Sequence, residues 1–296
     1  MRTVRNSPVT GLAGQFVLLA VLAATVGLGV VGWLVGLAHG LAQYGLLRRG
    51  LRLDGAPGLR PADRVTLARA VLVGGVTALA ADVLAGGQVP AAVPVSLAGV
   101  ALALDWVDGQ VARRTGTASA FGARFDMEVD AFLILVLSAY VAPAVGGWAL
   151  AIGAMRYAFV AASWPLPWLR GSLPARQWRK VVAAVQGVAL VGAAAGVLPG
   201  PLDTVLVAAA LALLVESFTR DVWWLWRHRA GAGSLPRPGH PARPLPHSAT
   251  ATGRPATSAD RPVPSAPRPS APAGRPGAVA PAAPGTPARH PARQAA

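Results

Sequence analysis

Residues 131–155 read AFLILVLSAYVAPAVGGWALAIGAM, and none of them carries a charge. A helix crosses the hydrocarbon core of a bilayer with about 20 apolar residues, and this stretch exceeds that length. Pro143 and the pair Gly146-Gly147 interrupt it, and such residues are typical of a turn. The stretch therefore predicts two membrane-spanning helices joined by a short turn.

Uncharged runs of similar character recur along the first 230 residues. They cover residues 16–47, 70–81, 83–104, 181–202 and 204–215. The first run is too long for a signal peptide, and further runs follow it. Only 13% of the residues are charged, whereas soluble domains carry about 25%. These features predict an all-α fold, a polytopic membrane helical bundle.

The runs divide into one N-terminal span and a six-span core. The expected helices cover 13–39, 65–85, 88–112, 120–142, 147–167, 179–198 and 201–226. We therefore assign residues 1–59 to an N-terminal transmembrane span with a basic linker, and residues 60–230 to the core domain. Residues 231–296 are rich in Pro, Ala and Arg and contain no aromatic residue, a composition that predicts a disordered tail.

Basic residues mark one side of the predicted bundle. They concentrate in segments 48–64, 113–124 and 168–180 and after the last span, whereas the intervening turns contain none. Loops rich in Arg and Lys stay in the cytoplasm, so these segments and the tail are expected there. Seven spans then place the N-terminus on the opposite side, although Arg2 and Arg5 disfavour that orientation.

The net charge of +15 does not indicate a nucleic-acid partner. The tail alone holds eight Arg and one acidic residue, Asp260, and so accounts for +7 of it. No aromatic residue is interleaved with the basic residues of the tail. The chain also has no Cys, which excludes thiolate nucleophiles, zinc–thiolate sites and iron–sulfur clusters. The expected partner is the lipid bilayer, and no nucleic acid is expected.

Acidic residues are scarce, and four of the 12 stand close together. They lie in the stretches DWVDGQVAR and GARFDMEVD, which begin at Asp105 and Gly122. On a helix, Asp105 and Asp108 share one face at i, i+3. Asp126 and Asp130 do so at i, i+4. Two helices that meet on these faces would bring four carboxylates together.

Four converging carboxylates near a bilayer repel one another unless cations join them. Ionisable residues at membrane depth are rare and usually functional, and clusters of oxygen ligands suit Mg²⁺ or Mn²⁺. Two divalent ions about 3.5–4 Å apart are a common clamp for phosphoryl transfer. The alternative is a set of surface acids paired with Arg113, Arg114 and Arg124. The spacing of the four Asp residues, with two glycines beside them, favours the metal site.

The same residues carry a family resemblance. Their pattern, D-x-x-D-G-x-x-A-R-x8-G-x3-D-x3-D, resembles that of the CDP-alcohol phosphatidyltransferases at every fixed position. The resemblance covers residues 60–226. It implies an integral membrane enzyme that transfers a phosphatidyl group from a CDP-linked lipid to an alcohol and releases CMP.

The resemblance also implies a role for each motif residue. The implied ligands of two Mg²⁺ or Mn²⁺ ions are Asp105, Asp108, Asp126 and Asp130. Asp130 is also the implied base, which takes the proton from the attacking hydroxyl group and must lie within hydrogen-bond reach of it. The implied nucleotide-binding residues of the motif are Gly109, Ala112, Arg113 and Gly122.

Residues 62–69, ADRVTLAR, open the first core span. They resemble the family's P-N-x-I-T-x-x-R segment, in which Thr66 and Arg69 match and Asp63 replaces Asn. The resemblance makes Asp63 and Thr66 candidate nucleotide contacts. The residues alone leave an alternative open, since Asp63 can cap the helix and Arg69 can extend to the membrane surface.

Two basic residues are candidates for binding the acceptor. Arg156 lies in an otherwise apolar span, where a charge needs a partner, and either an anionic acceptor or a core carboxylate would supply one. Lys180, the only Lys in the chain, matches one position of the G-K-x-K-T-x-x-Q segment found in family members that act on glycerol phosphate. Three other positions of that segment differ, which disfavours glycerol phosphate. The basic residues of the segment favour an anionic acceptor or, alternatively, contact with anionic lipid headgroups.

The resemblance implies a phospholipid-synthesis enzyme of the bacterial cytoplasmic membrane. The distribution of basic residues places its active site and its tail on the cytoplasmic side. The expected donor is CDP-diacylglycerol or a similar CDP-lipid, and the expected acceptor is a polar, anionic alcohol. Family members are often dimers, so a homodimer is one expectation. Two other functions stay open on the residues alone. They are a transporter with an acidic ion site and a membrane-anchored interaction protein that acts through its tail.

Overall fold

The computed structural model describes residues 7–55, 58–115, 119–171, 173–174 and 177–229. The helices are α1 (Ser7–Val26), α2 (Val30–Leu53), α3 (Pro61–Leu84), α4 (Ala92–Thr115), α5 (Ala120–Val145), α6 (Leu150–Ala162), α7 (Gln177–Ala195) and α8 (Gly200–His228). No strand occurs among the described residues, so the predicted all-α class is confirmed. All but α4 and α6 are long and apolar enough to cross a membrane, and these two have shorter apolar parts. The predicted tail, residues 231–296, lies outside the described residues.

The central helix of the bundle is α3. It packs against α1, α2, α4 and α5, and it is the most deeply buried of the membrane-crossing helices. Its Ala70 and Val73 join Leu133 and Leu137 of α5 in the main hydrophobic core. Lipid provides no hydrophobic drive between helices, so such a bundle depends on close packing and polar contacts. The central helix thus contacts both helices that carry the acidic motif.

The turn predicted within residues 131–155 is present. Helix α5 continues through Pro143 and ends at Val145. Gly146 then takes a φ of +114°, which a residue with a side chain rarely adopts. Helix α6 follows after one 3-10 turn, Gly147–Ala149. The glycine, and not the proline, therefore ends the helix.

The N-terminal stretch differs from the prediction. A single helix over 13–39 is wrong, because Gly27 takes a φ of +74° and separates α1 from α2. At the start of α2, Gly29 N and Gly32 N donate to the carboxylate of Asp82, at 3.0 and 3.4 Å. A negative charge is favourable at a helix N-terminus, so Asp82 of α3 stabilises the break. Hydropathy alone does not reveal this break, since the turn is as apolar as the helices beside it.

Small residues let α2 pack closely against α1. A Cβ atom at Gly36 would lie 2.6 Å from Leu19 Cδ2, and one at Gly40 would lie 2.9 Å from Gln15 Cγ. Glycines four residues apart allow membrane helices to approach closely. The two N-terminal helices thus form a tight hairpin.

Helix α1 runs parallel to α3. A Cβ atom at Gly11 would meet Leu67, and one at Gly14 would meet Val71, so the two helices begin at the same end of the bundle. The start of α1 therefore lies on the side of the basic α2–α3 loop. This result corrects the expected opposite orientation, which followed from counting one N-terminal span instead of two. It also agrees with the basic character of residues 1–6.

We expect Ser7→Cys and Asp54→Cys variants to be labelled from one side of the membrane and a Gln88→Cys variant from the other. The reason is that α1 and α3 begin at one end of the bundle, whereas the α3–α4 loop lies at the other. The measurement is labelling by a membrane-impermeant maleimide in sealed vesicles of each orientation. The absence of native Cys removes background labelling. Labelling of Ser7→Cys from the same side as Gln88→Cys would contradict the parallel arrangement.

Candidate active site

Three acidic side chains from two helices meet around one buried Arg. Asp105 of α4 and Asp126 of α5 each form a close ion pair with the guanidinium group of Arg69 on α3. Asp130 Oδ1, one turn further along α5, lies 3.1 Å from Arg69 Nη2. The i, i+4 spacing of Asp126 and Asp130 thus puts both on the same face of α5, as the sequence predicts.

The cluster is closed on one side and open on the other. The side chain of Arg69 is 0% exposed, whereas those of Asp105, Asp126 and Asp130 are 43%, 35% and 41% exposed. The protein therefore buries the cation and presents the carboxylates. A ligand from outside the bundle can reach them.

The same three carboxylates fit a divalent cation. One oxygen from each of Asp105, Asp126 and Asp130 lies within 4.8 Å of the other two. Mg²⁺ and Mn²⁺ prefer oxygen ligands, and Mg²⁺ usually binds through one or two carboxylates together with water and substrate phosphates. The donor set and the partial exposure both suit such an ion.

A Ser cap sets the point at which α5 begins. Ser119 Oγ accepts a hydrogen bond of 2.9 Å from Gly122 N, which satisfies one of the N–H groups that lack a partner within the helix. The start of α5 determines which of its later residues face α3. The cap therefore helps to orient Asp126 and Asp130.

Three motif residues on α4 can be placed only by their backbone. Asp108, Ala112 and Arg113 lie on this helix, and their side chains lie outside what the structure describes. Gly109 also lies on α4, one turn from Asp105, and is partly buried. The metal-binding role of Asp108 and the nucleotide contacts of the other three stay predictions.

Two of the predicted nucleotide residues, Asp63 of α3 and Gly122 of α5, lie against each other. Asp63 is buried, and its Oδ2 accepts a hydrogen bond of 3.0 Å from Arg60 N. This is the capping contact that the sequence left open. A Cβ atom at Gly122 would collide with the Asp63 carboxylate, so the glycine allows the starts of α3 and α5 to approach closely. Thr66 is buried further along α3 and donates to Ala62 O at 3.3 Å.

The two predicted acceptor residues have different surroundings. Arg156 of α6 forms a close ion pair with Glu128 of α5, which is the carboxylate pairing that the sequence left open. Lys180 of α7 is exposed. Their roles in acceptor binding stay predictions.

A pocket of about 410 Å³ lies between the start of α7 and the C-terminal part of α8. Its lining consists of Gln177, Trp178, Arg179, Ser217, Arg220 and Asp221. Arg179 Nε lies 3.7 Å from Asp221 Oδ2, and Arg220 Nη1 lies 2.9 Å from Glu216 Oε1. The prediction from sequence missed this pocket, because it depends on which faces of two distant helices meet. The sequence signal that could have revealed the pocket is the density of charged residues at one end of each helix.

The sequence model of one protein family matches the part of the chain that contains this site. It is described as CDP-alcohol phosphatidyltransferase and covers residues 60–222, more than half of the chain. The chain belongs to the CDP-alcohol phosphatidyltransferase family. No curated protein and no solved structure was found to match it. The family match begins just before α3, so the α1–α2 hairpin lies outside it.

Family membership gives the general reaction and its setting. CDP-alcohol phosphatidyltransferases transfer a phosphatidyl or related group from a CDP-alcohol to an acceptor alcohol, and they use divalent metals. In this chain, an Asp cluster is present among the described residues, and the apolar helices indicate an integral membrane protein. The family reaction is therefore favoured over the transporter and the interaction protein that the residues alone left open.

Proposed function

We propose that this chain is a phospholipid-synthesis enzyme that transfers a phosphatidyl group from CDP-diacylglycerol, or a similar CDP-lipid, to a polar anionic alcohol. The observation that carries the proposal is the convergence of Asp105, Asp126 and Asp130 in one partly open cluster. Phosphoryl transfer needs mainly positioning and charge stabilisation around the phosphates, which such a cluster can supply. The proposal is tested by CMP release from CDP-diacylglycerol that requires both a divalent ion and an acceptor alcohol.

The acidic cluster is proposed to hold the metal ions of this reaction. The proposed ligands of two Mg²⁺ or Mn²⁺ ions are Asp105, Asp108, Asp126 and Asp130. When bound, the ions would neutralise the phosphate oxygens and stabilise the leaving group. The contribution of the chain is to keep ligands from two different helices together beside the open face of the cluster.

Asp130 is the proposed base. Its side chain is 41% exposed, so an acceptor hydroxyl can approach it. The carboxylate takes the hydroxyl proton, and the hydroxyl oxygen bonds to the phosphorus on the lipid side of the diphosphate. The bond from that phosphorus to the bridging oxygen breaks, and CMP leaves with the electron pair. Arg69 Nη2 lies 3.1 Å from Asp130 Oδ1.

The cytidine nucleotide is proposed to lie along the parts of α3, α4 and α5 next to the cluster. The proposed contacts are Asp63, Thr66, Gly109, Ala112, Arg113 and Gly122. The contact between Asp63 and Gly122 supports the proposal, because it brings two of these residues together at the starts of α3 and α5. Glycines on the facing surfaces would also let the ligand approach the helix backbone closely.

The anionic group of the acceptor is proposed to bind in the pocket between α7 and α8. Arg179 and Arg220 line this pocket, and guanidinium groups bind phosphate and carboxylate through paired hydrogen bonds. Both helices pack against α5, the helix that carries the proposed base. Lys180 is proposed to attract the anion from its exposed position on α7, and Arg156 is proposed to bind it as a further cation.

An Arg220→Gln variant is expected to raise the KM for the anionic acceptor about 10- to 100-fold, which is the effect of losing one hydrogen bond to a charged group. A smaller change in kcat is expected, because the lost contact binds the ground state and the transition state alike. The measurement is steady-state CMP release with the acceptor varied at saturating CDP-lipid.

Arg227→Gln is the matched control for this variant. Arg227 lies on the same helix, but its guanidinium group stacks 3.6 Å from the ring centroid of Trp223 and does not line the pocket. The control should retain the wild-type KM. An unchanged acceptor KM in Arg220→Gln would remove this pocket from the proposal.

The same proposal places the protein in the cytoplasmic membrane of a bacterium. The cluster and the tail would lie on the cytoplasmic side, because Asp126 stands near the start of α5 and a basic loop precedes it. A homodimer is part of the proposal on family grounds alone. The CDP-lipid would reach the cluster from the bilayer and the polar acceptor from the cytoplasm.

A further inference from the structure

Arg69 carries its charge in the interior of the bundle. Its side chain is 0% exposed. Its Nη1 pairs with Asp105, and its Nη2 pairs with Asp126 and lies 3.1 Å from Asp130 Oδ1. The same Nη2 donates to the backbone oxygen of Asp126 at 3.3 Å. One guanidinium group therefore links carboxylates from α4 and α5 to α3.

Arg69 and a metal ion can use the three carboxylates at the same time. In each of Asp105, Asp126 and Asp130 the guanidinium contacts the oxygen Oδ1. A carboxylate has two oxygens, and together they accept up to about four contacts. Arg69 approaches from the buried side, whereas the carboxylates remain 35–43% exposed. The buried cation therefore does not close the open face of the cluster.

Without a bound metal, the three Asp carboxylates also need a fixed cation beside them. One oxygen from each lies within 4.8 Å of one oxygen of the other two, and like charges at such distances repel strongly where the dielectric constant is low. A planar guanidinium with several N–H donors can bridge the three groups, whereas the compact ammonium of Lys cannot hold all of them in one geometry. Groups that orient metal ligands in this way influence metal affinity strongly.

We propose that Arg69 is a positioning residue of the metal site. It holds Asp105, Asp126 and Asp130 in the converged arrangement that receives the divalent ions, and it stays on their buried side when the ions are bound. The inference rests on the proposed function in one respect only: it assumes that divalent ions bind at the Asp cluster. Arg69 acts through the carboxylates and does not touch the substrate.

The test measures Mn²⁺ binding to the purified protein without substrate. The readout is the electron paramagnetic resonance signal of free Mn²⁺. An Arg69→Gln variant is expected to bind Mn²⁺ about 10- to 100-fold more weakly, as is typical when the partner of a metal ligand is removed. Arg64→Gln is the matched control, because Arg64 lies on the same helix but is exposed. It should bind Mn²⁺ with wild-type affinity.

If the Arg69→Gln variant does not fold, an Arg69→Lys variant tests the positioning role. It keeps the charge but loses the fork of N–H donors, so its Mn²⁺ affinity should lie between those of the wild type and Arg69→Gln. At saturating Mn²⁺ it should recover most of the wild-type rate of CMP release, because positioning changes metal occupancy and not the chemistry. A rate that stays low at full occupancy would overturn the positioning role.

Unchanged or tighter Mn²⁺ binding in a folded Arg69 variant would also overturn the inference. Tighter binding would mean that Arg69 competes with the metal. Failure of the inference and failure of the proposed function give different results. If Arg69→Gln keeps wild-type affinity while the wild-type protein releases CMP, only the inference fails. If Mn²⁺ binding depends on Arg69 but the wild-type protein releases no CMP, only the proposed function fails.

Discussion

An Asp130→Asn variant is expected to release CMP about 10²- to 10⁴-fold more slowly than the wild-type protein, the usual contribution of a positioned general base. The amide is close in shape to the carboxylate, so the contact with Arg69 can persist. It does not accept the hydroxyl proton, and transfer therefore loses its base. The measurement is the rate of CMP release from CDP-diacylglycerol at saturating Mn²⁺, so that weaker metal binding does not contribute.

Asp54→Asn is the control for this substitution. Asp54 directly follows α2 at the same end of the bundle, is exposed and takes no part in the Asp cluster. The same chemical change should therefore leave the rate at the wild-type value. An Asp130→Asn protein that inserts into the membrane and retains full activity would show that another group takes the proton.

An Asp126→Asn variant is expected to lose Mn²⁺ binding and CMP release together. The substitution removes one of three converging ligands and leaves the buried Arg69 with less compensating charge. The loss of Mn²⁺ affinity should be larger than the loss of about 10- to 100-fold expected for Arg69→Gln. The reason is that Asp126→Asn removes a direct ligand, whereas Arg69→Gln removes the partner of the ligands. Mn²⁺ titration of the purified protein and CMP release give the two readouts.

Glu128→Gln is the control for metal binding. Glu128 lies on the same helix, two residues from Asp126, but its carboxylate pairs with Arg156 of α6. Its Mn²⁺ affinity should match that of the wild type. Equal Mn²⁺ affinity in Asp126→Asn and Glu128→Gln would contradict the assignment of the Asp cluster as the metal site.

The acidic cluster was predictable because its spacing within each helix is local. The i, i+4 separation of Asp126 and Asp130 already sets their common face before any packing is known. The apolar runs likewise predict the helices, since length and hydropathy are sufficient for that purpose. The turn at Gly146 was predictable for the same reason, because it interrupts a long apolar stretch.

The remaining features depend on contacts between distant segments. From the sequence, Arg69 was either a match to the family segment or an exposed residue that extends to the membrane surface. Its burial among three carboxylates follows only from the packing of α3 against α4 and α5. The break at Gly27 depends on Asp82, which lies far along the chain. The pocket lined by Arg179 and Arg220 likewise depends on the contact between α7 and α8.

The most direct test is incubation of the purified protein with CDP-diacylglycerol, Mn²⁺ or Mg²⁺ and a panel of alcohols, with CMP and the lipid product identified by mass. We expect CMP and a new phospholipid in equal amounts with at least one anionic alcohol, and neither product after the metal is chelated. A folded protein that forms no CMP with any alcohol, or forms it equally well without a divalent ion, would contradict the proposed function.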